Sequence, residues 1–167
     1  MAPHLTPQAA DATPALCTQL AQALQDRKLW LRTAESCTGG LIAAACTELA
    51  GSSAWFDRGF VCYSNAAKSA MLGVGAALIE HHGAVSEAVA RAMAQGAIDQ
   101  ASVQVALAVT GIAGPSGGSP EKPVGTVWLA WATPSGLFSE HRCFAGDRSA
   151  VRDATLRHAL HGLLLRL

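Results

Sequence analysis

The sequence is poor in charge and lacks the features that mark several functional classes. Only 14% of its 167 residues are charged, the formal net charge is zero, and no run of Lys or Arg occurs. Nucleic-acid backbones and anionic membranes are bound through concentrated positive charge, so neither partner is expected. No apolar run approaches the roughly 20 residues of a membrane-spanning helix. Residues 1–13 also lack the charged-then-apolar layout of a secretory signal.

The cysteine and histidine patterns give no sign of a metal site or a disulfide framework. The five cysteines are spread along the chain and never form Cys-x-x-Cys, which argues against a disulfide framework and a zinc site. We therefore expect reduced thiols, a cytoplasmic protein and no metal. None of the six histidines lies in a recognisable motif, and the sequence patterns of P-loops and dinucleotide-binding folds are incomplete.

The hydrophobic half of the chain is enough for one domain with a proper core. Residues 1–13 are predicted to be a disordered leader, and 14–167 a single domain. Apolar periodicity predicts helices over 14–27, 38–49, 66–72, 87–100 and 149–165, and strands over 29–31, 59–63, 103–109, 124–132 and 137–144. Strands and helices alternate until the last two strands, which form a hairpin. This order indicates an α/β layered domain with a mixed sheet.

The most unusual stretch is the polar segment Thr33–Gly40, which lies between a strand candidate and a helix candidate. If it is a strand-to-helix turn, free backbone N–H groups and the helix dipole would make it a site for an anion or oxyanion. Gly39 and Gly40 would let a ligand approach the backbone closely. An ordinary helix cap explains a Ser or Thr here equally well.

Tyr63 and Lys68 form a second unusual pair, since the chain has one tyrosine and three lysines. With Asn65 as the helix cap, Lys68 would lie in the first helical turn, where the dipole disfavours a cation and lowers the pKa of the amine. A lowered pKa suits a catalytic base. A solvent-exposed lysine and a core tyrosine are the alternatives.

Successive motifs of the chain, from about residue 15 to the end, resemble those of the CinA C-terminal domain family. They are 34–40 (AESCTGG), 51–53 (GSS), 63–65 (YSN) with Lys68, 83–86 (GAVS), 110–115 (TGIAGP), 122–127 (KPVGTV) and 144–148 (FAGDR). The resemblance implies a three-layer α/β/α domain, usually dimeric, so we expect a homodimer. It also implies hydrolysis of the carboxamide of nicotinamide mononucleotide to nicotinate mononucleotide and ammonia, in pyridine-nucleotide recycling, without a cofactor.

Amide hydrolysis requires a nucleophile, a base and donors for the oxyanion. With the resemblance as guide, we assign Ser36 as nucleophile and Lys68 with Tyr63 as the proton-transfer pair, the base being either one. Candidates for contacts with the oxyanion or the substrate are Glu35, Thr38, Gly39, Gly40, Thr110, Gly111 and the phosphate-binding Arg148. Glu35 could equally face solvent.

Two alternatives remain open from the sequence. Cys37 could act as nucleophile in place of Ser36, since a helix N-terminus would also activate a thiol. The same loops could instead bind a nucleotide without hydrolysing it, as a regulatory or partner-binding module.

Overall fold

A computed structural model describes residues 12–99 and 103–167. Its helices are α1 (Thr13–Asp26), α2 (Leu41–Glu48), α3 (Asn65–Leu72), α4 (Ala76–His82), α5 (Glu87–Asp99) and α6 (Arg148–Leu164). Its strands are β1 (Leu31–Glu35), β2 (Phe56–Val61), β3 (Val105–Gly111), β4 (Thr126–Thr133) and β5 (Gly136–Cys143), with a 3₁₀ turn at Ser52–Ala54. Residues 1–11 of the predicted leader lie outside the described residues. Thr13, its last residue, already belongs to α1.

The five strands form one mixed sheet in the order β2-β1-β3-β4-β5. β1 pairs in parallel with both β2 and β3, whereas β3, β4 and β5 pair antiparallel. β3 therefore joins a parallel half to an antiparallel hairpin. The carboxyl ends of β1 and β3 are adjacent, and their following loops meet at one edge of the sheet.

Helices cover both faces of the sheet, which confirms the α/β fold. Large side chains such as Leu107, Leu129 and Trp131 pack against α1, α2 and α6 on one face. Alanines of the same strands, such as Ala106 and Ala130, pack with α5 and its neighbours on the other face. The alternation follows from the two-residue period of a strand.

Several predicted boundaries differ from the structure. β1 continues through Thr33, Ala34 and Glu35, which the sequence predicted as part of the turn. The polar side chains of Thr33 and Glu35 are buried there, and the Thr33 hydroxyl donates to the Glu35 carboxylate. α2 starts only at Leu41, three residues after the predicted start. Helix α4 was not predicted from the sequence; Gly75 and Gly83, which flank it, are its caps.

In the described part of the chain, no helix is long and apolar enough to span a membrane.

Candidate active site

A cavity of about 290 Å³ lies where the loops after β1 and β3 meet the start of α3 and of α6. This volume is at the lower end of the range of about 300–1,000 Å³ for ligand pockets. It is lined by Ser36–Cys37, Tyr63, Asn65, Lys68, Ala84–Val85, Thr110–Gly114, Ser116–Gly117 and Arg148. Six of the ten predicted site residues therefore line one cavity: Ser36, Tyr63, Lys68, Thr110, Gly111 and Arg148.

Ser36 and Lys68 contact each other directly. Lys68 Nζ donates to Ser36 Oγ at 3.1 Å and to the Tyr63 carbonyl oxygen at 3.1 Å. The lysine is 1% exposed, and this burial lowers the pKa of its amine, because a charged ammonium loses its hydration. The lowered pKa has the direction that the sequence predicted, and burial is its main cause. Ser64, and not Asn65, caps α3 by accepting a bond from Ala67 N–H at 3.0 Å.

Tyr63 does not form the expected side-chain pair with Lys68. Its carbonyl contacts the amine, whereas its hydroxyl accepts a bond from Arg148 Nη2 at 3.0 Å. Arg148 also donates to the Gly114 carbonyl at 2.8 Å and is the first residue of α6. The tyrosine ring is 58% exposed, so it is not a core residue. Tyr63 and Arg148 together form one rim of the cavity.

The glutamate beside the serine has a structural role that the sequence did not predict. Glu35 is fully buried, and its carboxylate accepts bonds from the N–H groups of Gly40, Ile42 and Ala43 at 2.8–3.1 Å. It therefore occupies the N-terminus of α2, where an anionic ligand had been expected. Glu35 therefore faces neither solvent nor the cavity, and the prediction that it contacts one of them is wrong.

Thr38, Gly39 and Gly40 are also occupied within the protein and do not line the cavity. The Thr38 hydroxyl donates to Glu35 at 2.7 Å, and Gly39 N–H donates to the Ser36 carbonyl at 3.1 Å. Gly40 N–H bonds Glu35, as described above. These three residues shape the turn that presents Ser36, and the expected contact of their backbone with an oxyanion is corrected accordingly. Ser36 itself lies in this turn and not at the N-terminus of α2.

The side chain of Cys37, unlike that of Ser36, belongs to the hydrophobic core. Its side chain packs in the core on the α6 side of the sheet, with 5% exposure. Burial raises the pKa of the thiol to about 12. A thiolate is therefore disfavoured, and the structure opposes the mechanism in which Cys37 is the nucleophile.

The end of β3 and the loop after it form much of the cavity wall, and of these residues the sequence identified only Thr110 and Gly111, the last two of the strand. Thr110 is buried and donates through its hydroxyl to the Ala84 carbonyl at 2.8 Å. At Gly111, an added Cβ would lie 2.7 Å from Val127 Cγ2 and 2.9 Å from the Thr126 carbonyl oxygen, so a side chain has no room. The lining residues not assigned from the sequence are mostly small or apolar: Asn65, Ala84–Val85, Ile112–Gly114 and Ser116–Gly117. Most of them lie in the segments 63–65, 83–86 and 110–115, and these motifs are the signal that could have indicated them.

Among the residues that the structure describes, no group of three or more His, Cys, Asp or Glu side chains could hold a metal ion.

Comparison with known proteins gives consistent relatives. The nicotinamide-nucleotide amidohydrolase PncC of Pseudomonas putida is 53% identical over 92% of this chain and 96% of its own length. PncC of Escherichia coli K12 is also 53% identical, over 89% of this chain and 90% of its own. A crystal structure of a competence-damaged protein (CinA) superfamily member from Escherichia coli matches with a TM-score of 0.92 and 39% identity, covering 99% of this chain and 95% of that one.

The sequence profile of the CinA C-terminal domain matches residues 14–167. The resemblance of the motifs is thereby confirmed, and the chain belongs to the CinA C-terminal domain family.

Proposed function

We propose that this protein hydrolyses the carboxamide of nicotinamide mononucleotide to nicotinate mononucleotide and ammonia, with Ser36 as nucleophile and Lys68 as base. The contact between Ser36 Oγ and the buried Lys68 amine carries the proposal. A nearby base is what makes a serine hydroxyl nucleophilic. The names of the 53% identical relatives supply the substrate.

Lys68 is suited to accept the serine proton because burial favours its neutral form. A neutral amine has a lone pair and N–H donors, and the Tyr63 carbonyl can take one N–H at 3.1 Å. The lone pair then faces Ser36 Oγ. The carbonyl thus orients the base, and the tyrosine ring is left for the substrate.

In the first step, Ser36 Oγ bonds to the carboxamide carbon and its proton passes to Lys68, while the carbonyl oxygen gains the negative charge. Collapse of this intermediate breaks the C–N bond, and the proton on Lys68 passes to the departing nitrogen, which leaves as ammonia. Water then adds to the ester and gives a proton to Lys68. The C–O bond to Ser36 then breaks as Lys68 returns its proton to Ser36 Oγ, and the carboxylic acid product loses its own proton to solvent.

Gly111 offers a donor for the oxyanion. Ser36 N–H donates to the Val109 carbonyl, and Ile112 N–H donates to Thr126 on the opposite side. Since backbone groups alternate along a strand, Gly111 N–H points to the side where β1 has already ended. That side is the location of Ser36. A backbone N–H fixed in this way can stabilise an oxyanion without reorganising.

Arg148 is the proposed contact for the 5′-phosphate. It lies at the mouth of the cavity and begins the 17-residue α6 helix. Guanidinium forms strong paired bonds with phosphate oxygens. In the free protein this group bonds Tyr63 and Gly114, and the phosphate would take over part of this bonding.

The test is release of ammonia and nicotinate mononucleotide from nicotinamide mononucleotide by the purified protein. Ser36→Ala should lower kcat by at least about 10³-fold, since members of a nucleophile–base set fail together. Lys68→Arg should be nearly as inactive, because guanidinium keeps the charge but cannot accept a proton. Lys28→Arg, a change at an exposed lysine, is the matched control.

Two results would contradict the proposal. Full turnover by Ser36→Ala would remove the serine as nucleophile, and Lys68→Arg with wild-type turnover would make Lys68 an electrostatic residue. Binding of the nucleotide by calorimetry without any product would instead favour the non-catalytic binding module.

We also propose a cytoplasmic location and a homodimer. All five cysteines are free thiols in the structure, as a reducing compartment allows. The dimer is what the resemblance to the family implies, and sedimentation equilibrium would test it.

A further inference from the structure

The cavity wall formed by Ala84–Val85 belongs to the connection between α4 and α5 and has no strand or helix of its own. It is held through carbonyl groups. Thr110 Oγ1 donates to the Ala84 carbonyl at 2.8 Å, and Ser86 Oγ donates to the Gly83 carbonyl at 2.8 Å. The Val85 carbonyl needs a donor from elsewhere.

Lys122 supplies that donor. Its Nζ donates to the Val85 carbonyl at 2.7 Å and to the His82 carbonyl at 3.4 Å. Gly83, which has φ +79°, lies beside this contact, and a Cβ there would be 3.4 Å from Nζ. The ammonium thus also lies at the carboxyl end of α4, where a cation is favourable.

The backbone of Lys122 is held in a hydrogen-bonded turn. Lys122 N–H donates to Ser119 Oγ at 3.1 Å, and Ser119 N–H donates to the Lys122 carbonyl at 2.9 Å. This turn lies in the same loop, residues 112–125, whose first half lines the other side of the cavity. The lysine therefore ties together two loops that carry different walls of the site, although it is not itself a lining residue.

We propose that Lys122 is a positioning residue for the reaction: it fixes the Ala84–Val85 wall against the β3–β4 loop and so sets the shape of the substrate cavity. The role rests on the proposed function. Lys122 contacts neither Ser36 nor Lys68, so its loss should weaken substrate binding more than it slows the chemical step.

The experiment compares Lys122→Met, which removes the donors but keeps much of the length, with Lys122→Arg, which keeps donors. In Lys122→Met, KM for nicotinamide mononucleotide should rise about ten-fold, equal to about 1.4 kcal/mol, with kcat within about three-fold and the pH dependence of kcat unchanged. Lys122→Arg should restore part of the loss. Lys28→Met, at the exposed lysine, should match wild type.

Hydrogen exchange gives a readout that does not depend on turnover. Amides of residues 83–86 should exchange faster in Lys122→Met than in Lys28→Met, with β3 unchanged. If the wild-type protein has no amidase activity, the proposed function fails, but the exchange result still tests whether Lys122 holds the Ala84–Val85 wall. Unchanged KM and unchanged exchange would overturn the inference, as would a fall in kcat at constant KM. If Lys122→Met does not fold, Lys122→Arg decides: a smaller rise in KM together with faster exchange of residues 83–86 supports the inference, and unchanged KM with unchanged exchange overturns it.

Discussion

Replacing Glu35 by glutamine tests whether this residue stabilises the serine turn or takes part in the chemistry. One carboxylate oxygen accepts Ala43 N–H and the Thr33 hydroxyl; the other accepts two backbone N–H groups and the Thr38 hydroxyl. The amide nitrogen cannot accept, so in its better orientation it replaces the first oxygen. Ala43 N–H then loses its acceptor, while the Thr33 hydroxyl can turn.

A buried N–H without an acceptor costs about 1–3 kcal/mol. The bonds that remain lose the assistance of the charge, which about halves their strength. We therefore expect a loss of about 3 kcal/mol. For a domain of this size each kcal/mol lowers Tm by roughly 2–4 °C, so calorimetry should show a fall of about 6–12 °C.

Glu48→Gln is the matched control, since Glu48 is an exposed residue at the end of the same helix. Exposed substitutions usually change stability by about 0.5 kcal/mol or less. The reasoning fails if Glu35→Gln melts within about 2 °C of wild type but has lost turnover as severely as Ser36→Ala. Glu35 would then act on the substrate or the base.

Two further predictions concern buried titratable groups. At pH 8, iodoacetamide should modify exposed Cys143 far faster than Cys37, whose thiol pKa of about 12 leaves it protonated; peptide mass spectrometry would show this, and inactivation that follows modification of Cys37 would contradict it. The amine pKa of Lys68 is lower in the folded protein than the unfolded value of ~10.4, so the unfolded chain binds more protons between these values and wild-type stability rises with pH there. In urea unfolding, the free energy of unfolding of wild type minus that of Lys68→Met should therefore increase as pH rises towards 10. A difference that stays constant with pH would mean that the pKa of Lys68 is not lowered.

The layered fold could be predicted because its signals are local. The apolar run before Thr110 and the short polar gap around Pro134 identify a buried strand and a hairpin, and the structure contains both. The strand at Thr33–Glu35 was missed for the opposite reason. Its polar side chains are buried, and what satisfies them is Thr38 and the start of α2, a tertiary arrangement that no pattern along the strand reveals.

The site was predicted in part. Ser36 and Lys68 are 32 residues apart and meet as expected, because each follows a parallel strand of the same sheet. The role of Glu35 could not be deduced, since the same residue next to a serine could cap, bind or face water. The role of Lys122 could not be deduced either, because its partners, the carbonyl groups of Val85 and His82, lie 37 and 40 residues earlier in the chain.

The sheet carries large side chains on one face and alanines on the other, and this difference determines which mutations the core can accept. The strands present Ala106, Ala108, Ala130 and Ala132 towards α5, all at 2% exposure or less, so that helix rests almost on the backbone of the sheet. An added methyl group there has no space, and overpacking of about 1–3 kcal/mol is the expected damage. On the opposite face, with Leu107 and Trp131, the damage comes instead from lost volume, which leaves a void. Sequence variation should therefore be limited by a maximum side-chain volume on the face towards α5, and by a minimum side-chain volume on the face with Leu107 and Trp131.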